Sequence, residues 1–237
     1  MTHFNMKQVV ILFGPPGAGK GTQAELLADK LSLYYFETSK ILEREFKNPS
    51  ENVVEVDGKR FKISNEKDLW EKGILCSPPF VTYLVKKSIK KLAEQGEGLI
   101  LAGSPRTVYE AENVTPLLKE LYGVENIKIV LLEIKPETTI FRNSNRRICE
   151  LMRHPVLYSE ETKDLTRCPL DGSKLVKRKG LDDPETIKVR LEEYKNRTLP
   201  ILKIFDREGI NVSRIDGEES PADVHKNILL KIRPVSF

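Results

Sequence analysis

Residues Gly14 to Lys20 read GPPGAGK and fit the spacing G-x-x-x-x-G-K. Glycines at that spacing let the backbone curl until successive N–H groups point inward at an anion, and a single lysine then reaches the outer phosphates. Lys20 is that lysine. The next residue in such a loop is usually Ser or Thr, whose hydroxyl holds Mg2+ directly; here it is Gly21, with Thr22 one place further on. The chemistry on offer is the grip of a nucleoside polyphosphate.

A loop of this kind works between a strand and a helix, because the helix start adds its positive end to the anion site. Both are in place: Gln8–Phe13 is an apolar run, and Lys20–Leu31 is amphipathic. Further strand-like runs lie at Leu33–Glu37, Gly98–Ala102, Ile127–Ile134 and Ile210–Ile215. Helix-like segments cover Pro79–Gln95, Tyr109–Tyr122, Pro136–Arg147, Pro184–Glu208 and Pro221–Lys231. Short strands apolar on both faces, alternating with helices, predict an α/β fold: a doubly wound, five-stranded parallel sheet covered on both sides.

Two stretches break the alternation. Lys47–Gly73 holds NVVEVDGKRFKIS, in which alternating residues flank Asp57-Gly58, a hairpin signal, and a helix over Asn65–Gly73 follows. Ile148–Gly180 has no helical period and reads as a small β-rich flap. Both leave the sheet at the C-terminal ends of strands, where ligands sit in this architecture. The domain reading is a core of residues 1–38, 74–147 and 181–237, an insertion over 39–73 and a lid over 148–180.

The bulk numbers narrow the function. At 237 residues with 39% hydrophobic content, the chain can bury a sizeable core. A net charge of +4, spread through a chain that is 31% charged, suits small polyanions rather than nucleic acid. The cluster Lys86, Lys87, Lys90 and Lys91 reads as the wet face of a helix. Three cysteines give no disulfide framework, and no apolar run approaches a membrane span. MTHFNMKQ lacks the marks of a signal peptide. The expectation is a soluble, cytoplasmic monomer.

The wording GPPGAGKGTQA resembles the adenylate kinases and their nucleoside monophosphate kinase relatives. GSPRTVYEAE (Gly103–Glu112) resembles the family's D-G-F-P-R-T segment, and RNSNRR (Arg142–Arg147) its R-x-x-x-R-R helix. RKGLDDPETIKVRLEEY (Arg178–Tyr194) resembles the exit from the lid, and IDGEES (Ile215–Ser220) the loop that cups the ATP adenine. The resemblance implies a phosphate-loop core, a monophosphate-binding insertion and a mobile lid. It implies reversible phosphoryl transfer from MgATP to a nucleoside monophosphate.

It also implies roles. Gly14, Gly17, Ala18, Gly19, Lys20, Gly21 and Thr22 would cradle the ATP phosphates, with Arg142 over the base and Gly217 and Glu218 beside it. Arg106 would grip the acceptor phosphate by a bidentate fork. Arg146 and Arg190 would neutralise the transferring group, with Arg178 completing the lid's share; phosphoryl transfer needs such positioning and positive charge more than covalent help. Thr38, Cys76, Gly103 and Glu110 would line the acceptor site. The family's phosphate arginine after Thr38 falls here on Glu43, and the neighbouring Arg44 is the candidate replacement. Glu110 stands in place of a glutamine that reads adenine: a carboxylate accepts one hydrogen bond from adenine or two from guanine, so AMP, GMP and CMP all stay open as acceptors. Ala102 replaces an aspartate that helps hold the Mg2+ water shell, which leaves the metal to phosphates and water. That gap and Glu43 also leave room for a nucleotide-binding relative with little turnover.

Many relatives carry lid zinc on C-x-x-C pairs. This chain has Cys149-x-x-Met152 and Cys168-x-x-Asp171, and Met152 is no zinc ligand. His154 completes a set of Cys149, His154, Cys168 and Asp171, four donors of a type suited to a tetrahedral structural zinc. Insertion and lid are expected to close over the nucleotides, because the transferring phosphoryl must be kept from water.

Overall fold

The structure is a computed structural model and describes residues 8–49, 51–177 and 182–232. Strand β1 (Val9–Phe13) runs into the glycine loop and helix α1 (Lys20–Leu31), followed by β2 (Tyr34–Phe36) and α2 (Thr38–Lys47). A hairpin of β3 (Val53–Val56) and β4 (Lys59–Lys62) leads to α3 (Ile63–Glu71). Next come α4 (Pro78–Glu94), β5 (Leu99–Ala102), α5 (Val108–Tyr122), β6 (Ile127–Glu133) and α6 (Pro136–Asn145). Three short strands, β7 (Arg147–Cys149), β8 (Pro155–Val156) and β9 (Leu175–Val176), precede α7 (Pro184–Glu193), α8 (Leu202–Arg207), β10 (Val212–Asp216) and α9 (Pro221–Ile232).

The main sheet has the order β10-β6-β1-β5-β2, with every neighbour parallel. Its central strands β1 (VVILF) and β5 (LILA) are apolar and buried throughout because both faces are covered, while the edge strand β10 (VSRID) carries exposed charge. Val9, Ile11 and Phe13 of β1 point into one layer with Phe80 and Ile89 of α4, Leu118 of α5 and Phe205 of α8. Val10 and Leu12 point into the other, against Ala24 and Leu27 of α1 and Val224 and Ile228 of α9. The glycine loop leaves β1 between β5 and β6, where the winding of the sheet reverses and a crevice opens at the carboxyl ends of the strands.

The insertion forms its expected hairpin. Asp57 and Gly58 both take positive φ (50° and 73°), as a two-residue turn matched to strand twist requires. Leu42, Val54 and Ile63 are buried in the same layer as α4, and the Phe46 and Trp70 rings lie 6.0 Å apart. The lid is a three-stranded sheet of order β8-β7-β9, antiparallel throughout. Arg147 donates to the carbonyls of Leu165 and Thr162, holding the lid's outer turn to its root.

One expected element divides. The helix read over Pro184–Glu208 is interrupted after Glu193: the Leu199 N–H reaches back to the Tyr194 carbonyl, and a tight turn over Leu199–Ile201 leads into α8. Pro200 is the cause. It brings no N–H to the helix, and its ring clashes with the carbonyl four residues back.

Candidate active site

A cleft of about 690 Å3 lies at the carboxyl end of the main sheet. It is lined from below by the glycine loop and β5, from the side by Thr38, Leu42 and the segment Gly73 to Cys76, and from above by Pro155 to Ser159.

The floor is the loop itself. Gly14, Gly17, Ala18, Gly19, Lys20, Gly21 and Thr22 all line it. Gly17 has φ 86°, and a β-carbon there would sit 2.6 Å from Nδ2 of Asn143, so the loop packs against α6 only with glycine at this position. Helix α1 begins at Lys20 with no side-chain cap, which leaves its first N–H groups for a ligand. The Lys20 ammonium donates to the carbonyls of Gly14 (2.6 Å) and Pro15 (2.8 Å). Burial holds its pKa well below the ordinary lysine value of 10.5, and the guanidinium groups of Arg106, Arg190 and Arg146 depress it further.

Three elements bring those arginines together: the loop after β5 (Arg106), the end of α6 (Arg146) and the last turn of α7 (Arg190). Arg146 forks onto Asp182, with Nη2 at 2.7 Å and Nε at 3.2 Å, and Nη1 of Arg190 lies 3.9 Å from the same carboxylate. The Asp182 side chain is 1% exposed. The sequence reading quoted Asp182 inside a motif but gave it no role. The signal was there, an acid eight residues before Arg190, but the partner Arg146 lies 36 residues away. Arg178 lies outside the described residues.

The acceptor side gathers around β5. Gly103 has φ 116°, and a β-carbon on it would meet Nη2 of Arg106 at 2.7 Å, so this glycine gives the guanidinium its place. The Thr198 hydroxyl donates to the Arg106 carbonyl (2.7 Å). Thr38 is buried and lines the cleft, and its hydroxyl oxygen has no hydrogen-bond partner among the described residues. Cys76 lines the cleft; burial, then the charge of Glu66, pushes its thiol up to about 12, so it packs rather than reacts. Glu193 also lines the cleft, accepting from the Leu75 N–H (3.1 Å) and Arg197 (2.8 Å). The Ala102 methyl lies in the wall and offers no oxygen.

Glu110 is 2% exposed. Its Oε2 accepts from the Arg106 N–H (3.0 Å) and the Ser104 hydroxyl (3.3 Å), and its Oε1 from the Thr107 hydroxyl (3.1 Å). Thr107 in turn caps α5 by accepting the Glu110 N–H. The pair is a Thr-x-x-Glu helix start, a pattern legible in the sequence and not used there. Burial pushes the Glu110 pKa up, and the Arg106 N–H and guanidinium oppose that push.

Arg44 does not join the site. It is exposed on α2 and absent from the cleft lining. Thr38 and Leu42 face inward one turn apart; Arg44 lies two residues beyond Leu42, about 200° further round the helix. Glu43 is half-buried and meets Arg153 of the lid at 3.8 Å.

On the donor side, Arg142 lines the cleft and donates to the Gly217 carbonyl (2.9 Å), tying α6 to the loop after β10. Gly217 lines the cleft. Glu218 turns away and accepts from the Lys135 N–H (2.7 Å) and the Thr138 hydroxyl (2.9 Å), which hold its carboxyl below the usual range. Phe141 and Tyr158, an edge-on pair 5.7 Å apart, close the same end and went unremarked in the sequence.

In the lid, Cys149, His154, Cys168 and Asp171 offer one ligand atom each, all within 4.8 Å of one another. Oδ1 of Asp171 accepts from the Ser173 N–H and hydroxyl, while its Oδ2 is buried without a hydrogen-bond partner among the described residues. An orphaned carboxylate oxygen beside two thiols and an imidazole is a donor set that fits zinc.

Comparison with known proteins gives one answer. A family model described as "Adenylate kinase" matches residues 12–210. The chain is 35% identical to the adenylate kinase of Caldicellulosiruptor bescii over 222 residues, covering 93% of this chain and 96% of that protein. It is 31% identical to the adenylate kinase of Petrotoga mobilis over 94% of this chain and 97% of that one. It is also 31% identical to that of Staphylococcus aureus over 93% and 96%.

Proposed function

The chain belongs to the adenylate kinase family, and from that premise we propose how its residues carry out the reaction. The enzyme transfers the terminal phosphoryl group of ATP reversibly to AMP, giving two ADP. The glycine loop and the first turn of α1 hold the donor phosphates, and Lys20 bridges to the group in flight. Arg106 holds the acceptor phosphate, while Arg146 and Arg190 meet the charge spread over the transferring oxygens. Arg142, Gly217, Phe141 and Tyr158 frame the donor base, Glu218 braces that loop from behind, and Thr38, Cys76, Gly103 and Glu110 face the acceptor nucleoside.

The carrying observation is the convergence of Lys20, Arg106, Arg146 and Arg190 on one cleft, with Arg142 at its donor end. Burial, and after it the three guanidinium groups, hold the Lys20 pKa down, and such an arrangement suits a polyanion. A coupled assay with MgATP and a panel of monophosphates tests the reading. AMP should be the best acceptor; a better one, or no ADP at all, overturns it.

The family uses Mg2+ with ATP. Because Ala102 brings no oxygen, phosphate and water hold the metal here, with the Thr22 hydroxyl and the buried Oε1 of Gln23 as polar neighbours on the protein. The lid set of Cys149, His154, Cys168 and Asp171 holds a structural zinc. Bound metal contributes folding free energy to the lid and takes no part in transfer. Elemental analysis should find one zinc per chain, and Cys168→Ser should lose it and lower the melting temperature by about 5 °C or more. Metal-free protein with an unchanged melt on chelation would count against this. The chain works as a monomer.

A further inference from the structure

We infer that Ser104 and Glu110 together set the acceptor base: the serine hydroxyl occupies one acceptor position of the carboxylate, so the base meets a single acceptor where two would otherwise be available. This rests on the acceptor side lying around β5, as proposed above.

An ionised carboxylate offers about four lone-pair positions, two on each oxygen. Both positions on Oε2 of Glu110 are used, by the Arg106 N–H and the Ser104 hydroxyl. One position on Oε1 is used, by the Thr107 hydroxyl. The remaining position is on Oε1, in a residue that lines the cleft.

The bases differ on this point. Guanine presents N1–H and an amino N–H side by side, and a carboxylate takes the pair only with room on both oxygens. Adenine presents one amino N–H beside an unprotonated ring nitrogen, and a single position serves it. Guanine brings to Glu110 a donor that this carboxylate has no free position to accept, and losing that matched acceptor costs about tenfold or more in kcat/KM.

Of the three donors to Glu110, one can be removed cleanly. The Arg106 N–H is main chain, and the Thr107 hydroxyl also caps α5. Ser104 donates from a side chain that caps no helix, and it is 2% exposed. Ser104→Ala frees a position on Oε2 and gives guanine its second acceptor.

The experiment measures kcat/KM for AMP and GMP at saturating MgATP in the wild type, Ser104→Ala and Glu110→Gln. In Ser104→Ala the preference for AMP over GMP should fall about tenfold, through the KM for GMP, with the KM for ATP unmoved. Glu110→Gln should act the other way. Its amide oxygen must stay on the Arg106 N–H, which turns its N–H2 toward the base; adenine still offers the ring nitrogen, while guanine meets a second donor. An unchanged ratio in Ser104→Ala, or a rise in relative GMP use in Glu110→Gln, overturns the assignment while leaving the kinase reading intact. A wild type that phosphorylates no AMP overturns the kinase reading itself. Should Ser104→Ala fail to fold, the Glu110→Gln ratio alone decides.

Discussion

Replacing Lys20 by methionine should lower kcat about a thousandfold and leave the melting temperature unchanged or slightly higher. The two effects have one origin. The Lys20 ammonium is buried and set among Arg106, Arg190 and Arg146, and its charge is tolerated in the folded chain only at a cost, which is what its lowered pKa expresses. In the folded state Lys20 binds its proton more weakly than in the unfolded chain. Its charge therefore opposes folding in full below the folded pKa, and the opposition fades as pH rises from there toward 10.5. Methionine keeps the bulk and removes the charge, so any gain in stability over the wild type should be largest near neutrality and close on the alkaline side. A coupled assay paired with thermal melts across pH checks both halves. Activity within tenfold of wild type, or a collapse of the melt, would defeat the expectation.

Arg146→Met should lose as much or more, on the order of a thousandfold or greater in kcat, because a guanidinium on the transferring group contributes that much to phosphoryl transfer. Here stability falls as well. Asp182 is 1% exposed and takes both arms of the Arg146 fork; without them its remaining partner among the described residues is Arg190 at 3.9 Å. A buried carboxylate stripped of its main partner costs about 3 kcal/mol, or roughly 6–12 °C of melting temperature in a chain this size. The double variant Arg146→Met with Asp182→Asn separates structure from chemistry. It should recover most of the melt and none of the turnover. Recovery of activity in the double variant would mean that Arg146 acts only as the partner of Asp182.

Much of this was legible in the sequence, and the boundary of legibility is physical. The glycine loop, the Asp57-Gly58 turn and the two-faced strands are set by contacts a few residues apart, and each appears where its spacing put it. The cations of the cleft were found by motif, because each sits at a fixed offset from a strand or helix end. Pairings across the chain were not. Arg146 with Asp182 depends on how two segments 36 residues apart approach one another, and no local period encodes that. Arg44 lies off the cleft for a reason of helical phase, which Thr38 and Leu42 already specify. The break in Pro184–Glu208 was readable from Pro200 and was passed over because the flanking pattern is helical on both sides.

The contact between Glu43 and Arg153 joins the insertion to the lid, two segments otherwise tied to the core through separate roots. On the expectation that insertion and lid close over the nucleotides, a bond between the two couples their closing. Donor and acceptor are then expected to tighten each other's binding by the same factor, as thermodynamic reciprocity demands. With Arg153 57% exposed, that factor stays small, about fivefold at most. Its sign is the informative part: the position where the family resemblance expects a cation for the acceptor carries instead a carboxylate paired with the lid.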